Sequence, residues 1–294
     1  MHFTFRNVND CFRGLVEGIV QGTLYTDIVA SRYGEVISFQ EPVTITYTNP
    51  TERVLFNAAR DCNPFFFLYE ALWMLAGRND VAPLTYYCRR MPEFSDDGQT
   101  FNGSYGERWR KRTVYQEVTI SDDESRYTME VIQPLDQIRI LIDHLRRKPE
   151  SRRAVLQMWT VEDDLLKIDN GLDVCCNTCV YFAVELGMCR ECNGRIDRSA
   201  PGPCSSCGGM PHDQPRYLNM TVCNRSNDLT WGLLGSNHVC FSILQEYLAA
   251  HLDLDIGKYH HFTNNLHAYT NKWHPEEWLA AADHDPYVDS GKRG

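Results

Sequence analysis

The sequence predicts an α/β chain of the α+β kind, a β core carrying helices. Three observations predict it: alternating apolar and polar stretches that read as strands, separate apolar stretches with helix start and stop signals, and no internal repeat or low-complexity linker. With 294 residues, 43% of them hydrophobic and 23% charged, the chain can bury one large core or two modest ones. It is read as a single domain over 1–294, interrupted at 188–212.

Residues 24–48 alternate around Gly34 and Pro42 and read as strands joined by turns, with Arg32 in the turn Ser31-Arg32-Tyr33-Gly34. Residues 64–77, PFFFLYEALWMLAG, begin with proline and end at glycine, as a helix should. That segment is apolar on nearly every side, which predicts burial all round. Glu70 sits in its middle. A buried carboxylate is costly to ionise alone, so it is either neutralised by a partner or poised to trade a proton.

Residues 81–113 are rich in loops, with a turn cluster at Pro92–Gly98 followed by FNGSYGERWRKR. Leu135–Arg147 reads as a helix with Ile138, Leu141, Ile142 and Leu145 on one face, closed by Pro149. Ser151-Arg152-Arg153 then leads into an apolar strand, AVLQMW. Paired arginines there suit either a solvated surface or a phosphate. Gly171–Val184 reads as a strand rich in cysteine, β-branched and aromatic residues.

The stretch Asn219–Asn237 starts as a strand and breaks into the polar cluster Asn224-Arg225-Ser226-Asn227-Asp228. The cluster offers a cation, a hydroxyl, two amides and a carboxylate, enough to hold a phosphate at one end and a polar ring at the other. Val239–Leu254 reads as an amphipathic helix. Lys258–Asn271 carries His260, His261, His267 and Tyr269, and a lone histidine is more often structural than catalytic.

A net charge of −10 argues against undirected nucleic-acid binding but leaves anionic small substrates open. No apolar run is long enough to span a bilayer, and the N-terminus lacks a secretion-signal layout, so a cytoplasmic protein is expected. The twelve cysteines are unevenly spread. Cys189-x-x-Cys192 and Cys204-x-x-Cys207 form paired knuckles that match a tetrahedral structural zinc site.

In this order, these pieces resemble the thymidylate synthase family, including its bacteriophage pyrimidine hydroxymethylase branch. The matching blocks are Arg32–Gly34, Glu70–Asp80, Gly103–Arg110, Ser151–Trp159, the cysteine strand, Asn224–Asp228, Asn237 and Asn264–Tyr269. The resemblance implies a homodimer on a bent, mostly β core, with each site completed by arginines of the neighbouring subunit. It implies a cytoplasmic setting, that of an infected host cell for a phage protein. It also implies 5,10-methylenetetrahydrofolate as cosubstrate and a pyrimidine nucleoside monophosphate as substrate. By position, Arg32, Arg225 and Ser226 would grip the 5′-phosphate, with Arg152 and Arg153 reaching in from the partner. His267 and Tyr269 would hold the sugar hydroxyl, Glu70 and Tyr105 would serve proton transfer, Asp228 would bind the pterin, and Asn237 would read the base edge.

The family chemistry begins with a thiolate adding to pyrimidine C6, which makes C5 nucleophilic. The family pattern has a proline before that cysteine and an aromatic residue six positions after it. Cys176 has Phe182 at that spacing, but Cys175 occupies the proline position. Cys175 has Tyr181 at the same offset and stays open as the alternative. The two face opposite sides of a strand, so only one reaches a pocket. A thiolate near several arginines is expected to have a lowered pKa.

Two departures bear on the product. No tryptophan lies between the Glu70 helix and Tyr105, where Met91 or Phe94 stands near the usual tryptophan place, and the chain ends soon after His267. Both point to a wetter site, hence hydroxymethyl rather than methyl transfer. An amide at 237 suits the O4 and N3–H of uracil, which favours dUMP over dCMP, although Gly232–Asn237 is one residue longer than the family pattern. The rival readings are thymidylate synthase itself, a dCMP hydroxymethylase, and an inactive scaffold carrying a zinc-knuckle binding module.

Overall fold

The computed structural model describes residues 1–121, 126–186, 207–208, 216–281 and 285–289, with 115–132, 186, 216 and 289 described by backbone alone. In chain order the elements are β1 (His2–Phe5), α1 (Val8–Val20), β2 (Thr26–Ser31), β3 (Gly34–Phe39), β4 (Val43–Tyr47), α2 (Pro64–Leu75) and α3 (Ala82–Thr85). Next come α4 (Tyr105–Arg110), β5 (Arg112–Ser121), β6 (Arg126–Leu135), α5 (Gln137–Arg147), β7 (Val155–Gln157) and β8 (Asn177–Leu186). The chain continues through β9 (Arg216–Asp228), α6 (Ser236–Leu252), β10 (Asp255–Tyr269), α7 (Pro275–Ala280) and α8 (Pro286–Asp289).

Eight strands form one mixed sheet in the order β1-β4-β10-β9-β8-β7, with the β2–β3 hairpin attached through β3 to β10. β10 organises it. Its first half pairs antiparallel with β4, its last residues pair antiparallel with β3, and its other edge runs parallel to β9. One strand serving two neighbours along one edge requires the sheet to turn between them. That register sets Ser226 beside Asn265 and Asp228 beside His267, and His267 beside Ser38.

α6 packs on β9 and β10 and α5 on β7, while α2 packs on α6, and α4 on α2 and α5. Within α6, 11 of the 17 residues are buried. Phe241 of α6 lies against Tyr105 and Trp109 of α4, with ring centroids 5.5 and 5.9 Å apart. α4 sits directly on the backbone of α2. A Cβ at Gly106 would stand 2.4 Å from the Met74 carbonyl oxygen, so only glycine permits that approach.

Several elements differ from expectation. α2 is capped by Asn63 and stops before Gly77, but it is not buried all round, since Phe65, Leu68 and Leu72 form an exposed stripe. Composition cannot report which side of a uniformly apolar helix lacks a neighbour. β9 does not break at Asn224 but runs on through Asp228, because β10 supplies ladder partners as far as His267. β8 begins only at Asn177, which leaves 171–176 as loop. α6 starts at Ser236, three residues early, so Ser236 and Asn237 lie in its first turn. The β5–β6 hairpin was not anticipated. β8 and β9 pair antiparallel and are joined by 187–215, so the expected insert 188–212 lies outside the described residues apart from 207–208.

Candidate active site

The site is built around the loop 171–176. A buried ion pair holds the far side of that loop. Arg108 of α4 grips Asp164 with two hydrogen bonds, at 2.5 and 3.0 Å, and both side chains are almost fully buried. The same carboxylate accepts the Cys175 N–H at 3.0 Å, and Arg108 also donates to the carbonyls of Met158 and Asn102. A buried pair so fully hydrogen-bonded resists loss of either partner, at about 3–5 kcal/mol.

The two neighbouring thiols point to different places. Cys175 is buried and its Sγ donates to the Asn177 carbonyl at 3.1 Å. Cys176 is half-buried, with Arg225 Nη2 at 3.8 Å from its Sγ. Arg225 is held in place by the carbonyls of Cys175 (3.0 Å) and Val174 (2.8 Å) and lies 5.4 Å over the Trp159 ring. Arg32 in the β2–β3 turn donates to the carbonyls of Gly171 and Leu172. Two cations thus converge on the loop that carries Cys176.

The expected fall in the thiol pKa is not what results. Burial pushes the Cys176 thiol above its ordinary value; Arg225 and Arg32 pull it down, and Asp173 opposes them. Desolvation of a thiolate outweighs cations that are already engaged with backbone carbonyls.

Asp173 was not singled out from the sequence. Its carboxylate accepts the Gly103 N–H at 2.7 Å, and burial raises its pKa to about 6. Tyr105, at the start of α4, is buried, and burial followed by the field of Cys176 raises its phenol pKa. The only sequence signal for Asp173 was its place three residues before Cys176.

Among the described residues Glu70 has no ion partner. Its carboxylate accepts a short hydrogen bond from the Ser236 hydroxyl, and Cys240 lies 3.9 Å away. Burial lifts its pKa to about 7, which the two hydrogen bonds only partly offset. Among the described residues the carboxyl is thus neutralised by burial and a hydroxyl and not by an ion pair.

Asp228 caps the next turn, accepting the Thr230 N–H (2.7 Å), the Thr230 hydroxyl (2.9 Å) and the Trp231 N–H. That turn, Leu229–Leu233, is π-helical. A π turn takes up one additional residue, which accounts for the long segment and leaves Asn237 at the mouth of α6 beside Ser236. Asn237 Nδ2 donates to Asn227 at 2.9 Å. His267 and Tyr269 stand edge to face, 5.6 Å apart, and His267 contacts Asn265, the strand neighbour of Ser226.

Arg152 and Arg153 are not brought to this group. Both are exposed, and among the described residues neither guanidinium has a partner. Met91 is buried, Phe94 is partly exposed, and a half-exposed tryptophan from another segment, Trp231, packs on Phe66 and Phe67. Of the four cysteines expected to bind zinc, Cys189, Cys192 and Cys204 lie outside the described residues, and Cys207 is exposed. Among the described residues no cluster of side chains is set to hold a metal ion, and no helix is long and apolar enough to cross a membrane.

A family model described as thymidylate synthase matches residues 43–284. A deoxyuridylate hydroxymethyltransferase of Pseudomonas phage M6 is 40% identical over 254 residues, covering 85% of this chain and 58% of that protein. One of Bacillus phage SP01 is 33% identical over 250 residues, covering 84% of this chain and 54% of its own length. A thymidylate synthase of Lactococcus lactis subsp. lactis (strain IL1403) is 28% identical over 152 residues, half of this chain and 43% of that protein. The chain therefore spans little more than half the length of the two phage relatives.

Proposed function

Because the chain belongs to the thymidylate synthase family, we propose that it transfers a one-carbon unit from methylenetetrahydrofolate to C5 of dUMP and releases 5-hydroxymethyl-dUMP. The observation that carries the reading is the loop 171–176. One thiol of its pair is buried in the core and the other is half-buried beside Arg225, with Arg32 bound to the carbonyls at the start of the loop. The names of the two phage relatives support the hydroxymethyl product.

In this mechanism Cys176 Sγ adds to C6, and the electron pair released to C5 attacks the methylene carbon of the folate iminium. Glu70, with a pKa near neutrality, is suited to receive the C5 proton directly or through water as the folate nitrogen leaves. Water then adds to the exocyclic methylene as the Cys176–C6 bond breaks. The net change is dUMP, methylenetetrahydrofolate and water to 5-hydroxymethyl-dUMP and tetrahydrofolate, with no oxidation of the folate. Arg32, Arg225 and Ser226 would hold the phosphate, His267 and Tyr269 the sugar hydroxyl, Asp228 the pterin, and Asn237 the base. Tyr105, facing the same loop, would assist proton transfer.

Arg152 and Arg153, exposed and without partners among the described residues, are proposed to complete the site of a second copy. Structural zinc at Cys189, Cys192, Cys204 and Cys207 rests on the donor chemistry alone: four thiolates in two knuckles. Elemental analysis of purified protein should return one zinc per chain, and none would remove that proposal.

Incubation with dUMP and methylenetetrahydrofolate, read by mass spectrometry, tests the reaction. A nucleotide heavier by CH2O with no dihydrofolate formed is the expected result. A gain of CH2 with stoichiometric dihydrofolate would instead make the chain a thymidylate synthase.

A further inference from the structure

Outside the loop 171–176, two thiols stand directly opposite each other. Cys179 of β8 and Cys223 of β9 are register partners in an antiparallel pair, so their side chains leave the sheet on the same face. Directly opposed residues of such a pair have Cα atoms about 4.5 or 5.5 Å apart, and a disulfide accepts about 4.4–6.8 Å. The two sulfurs share a hydrogen bond, and both residues are half-buried. The backbone beside them is pinned. β8 carries one additional residue just before Cys179, and at this bulge Asn177 Nδ2 and the Thr178 hydroxyl both donate to the Cys223 carbonyl at 2.9 Å.

We propose that Cys179 and Cys223 form a redox modification site, a dithiol that a peroxide converts into a cross-strand disulfide within one chain, independent of the one-carbon transfer proposed above.

The proton between the sulfurs decides which of them reacts first. The Cys223 thiol donates to Cys179, and the Tyr181 and Thr178 hydroxyls donate to the same sulfur. Against the effect of burial, these bonds lower the Cys179 pKa from 9.0 to about 6. The same bond, with burial, raises the Cys223 thiol. The strand neighbours on either side, Gln157 of β7 and Phe262 of β10, carry no charge. At pH 7 a thiol with a pKa of about 6 is roughly nine-tenths thiolate, against roughly one part in a hundred for one at 9. Lower basicity costs nucleophilicity, about half a decade for each pKa unit, so the net advantage is roughly fourfold. Burial pushes Cys176 the other way, which widens the gap between the two.

Attack of the Cys179 thiolate on hydrogen peroxide forms an S–O bond and breaks the O–O bond. The departing hydroxide takes a proton from solvent, and Cys179 becomes a sulfenic acid. The Cys223 sulfur then displaces hydroxide from the Cys179 sulfur, and that hydroxide leaves with the Cys223 proton as water. Two thiols and one peroxide give one disulfide and two waters, with two electrons passing from sulfur to oxygen. Opposed strand residues hold their Cβ atoms about 4.5–5.5 Å apart, whereas a disulfide draws them to about 3.8 Å. The link is therefore strained and readily reduced, the kind that forms under oxidant and is reversed by thiols.

Full-length protein treated with equimolar hydrogen peroxide at pH 7, blocked with N-ethylmaleimide and digested without reductant, tests the site by peptide mass spectrometry. A peptide pair joined through Cys179 and Cys223, lighter by two hydrogens, should form before Cys176 is oxidised and should vanish with dithiothreitol. In Cys223→Ser the link cannot close, and Cys179 should instead be trapped by dimedone as its sulfenic acid. In Cys179→Ser, Cys223 should stay a thiol. With iodoacetamide at pH 7, Cys179 of the wild-type protein should be alkylated at least about fourfold faster than Cys176. The wild-type measurements decide alone if a variant does not fold. Oxidation or alkylation of Cys176 ahead of Cys179, no Cys179–Cys223 link even with excess peroxide, or a link that joins two chains would overturn the inference. None of these readouts requires turnover, so failure here is distinct from failure of the proposed reaction.

Discussion

Replacing Glu70 by glutamine should make the protein more stable and nearly inactive. The carboxyl is 7% exposed, meets the Ser236 hydroxyl and the Cys240 sulfur alone among the described polar groups, and has its pKa raised from an ordinary 4.5 to about 7. The folded state therefore holds this proton more tightly than the unfolded chain does. Below pH 4.5 the group is protonated in both states and contributes no difference. As pH rises from 4.5 through 7, the unfolded chain ionises it at no cost while the folded protein must ionise it in place, so stability falls. At about 1.4 kcal/mol for each tenfold change in proton affinity, that loss reaches roughly 3 kcal/mol above pH 7. Glu70→Gln keeps an acceptor for Ser236 and never carries the charge. Urea unfolding curves of the two proteins should nearly coincide at pH 4.5 and separate progressively up to pH 8, with the variant the more stable. The other buried carboxyls are common to both proteins and cancel in the comparison. Turnover should drop by about 10²–10⁴-fold with the general base removed. Stability curves that stay parallel from pH 4.5 to 8 would show that burial does not load this carboxyl, and the proton-transfer argument would lose its basis.

The thiols, the charges around them and the exposed arginines give three further tests. Cys176→Ser should abolish turnover and any covalent adduct with 5-fluoro-dUMP seen by mass spectrometry, whereas Cys175→Ser, whose thiol only donates to the Asn177 carbonyl, should keep both; the reverse pattern would reassign the nucleophile. Burial holds the Cys176 thiol above its usual pKa, so its alkylation by iodoacetamide, followed on the Cys176 peptide, should keep rising through pH 9. A plateau near neutrality would mean that Arg225 and Arg32 win. If sites are shared across a dimer, Arg152→Ala/Arg153→Ala protein and Cys176→Ser protein should each be inactive alone, yet mixing and reassociating them should restore roughly a quarter of wild-type activity, since half the dimers carry one complete site. No recovery would place the arginines outside the site or the site within one chain.

Local chemistry along the chain was enough for much of this protein. Pro64 and Gly77 bracket α2, the spacing of Ile138, Leu141, Ile142 and Leu145 sets the buried face of α5, and alternation around Gly34 marks the β2–β3 hairpin, because each depends on neighbours within a few residues. The residue types of the site were legible for the same reason: thiols, arginines and a carboxylate in an apolar helix stand out wherever they sit. What they do to one another was not. Whether Cys175 or Cys176 faces out depends on where β8 starts, and that depends on β9 beside it. Glu70 meets Ser236 across 166 positions, and Asn227 meets His261 across 34. The sign of the shift at Cys176 comes from how deeply the loop is covered and from carbonyls that already engage its arginines. Burial and orientation are properties of the whole packed molecule, set by contacts between segments far apart in the chain. Composition supplies the reactive groups, and the tertiary structure alone decides which of them are dry, which are paired and which way they point.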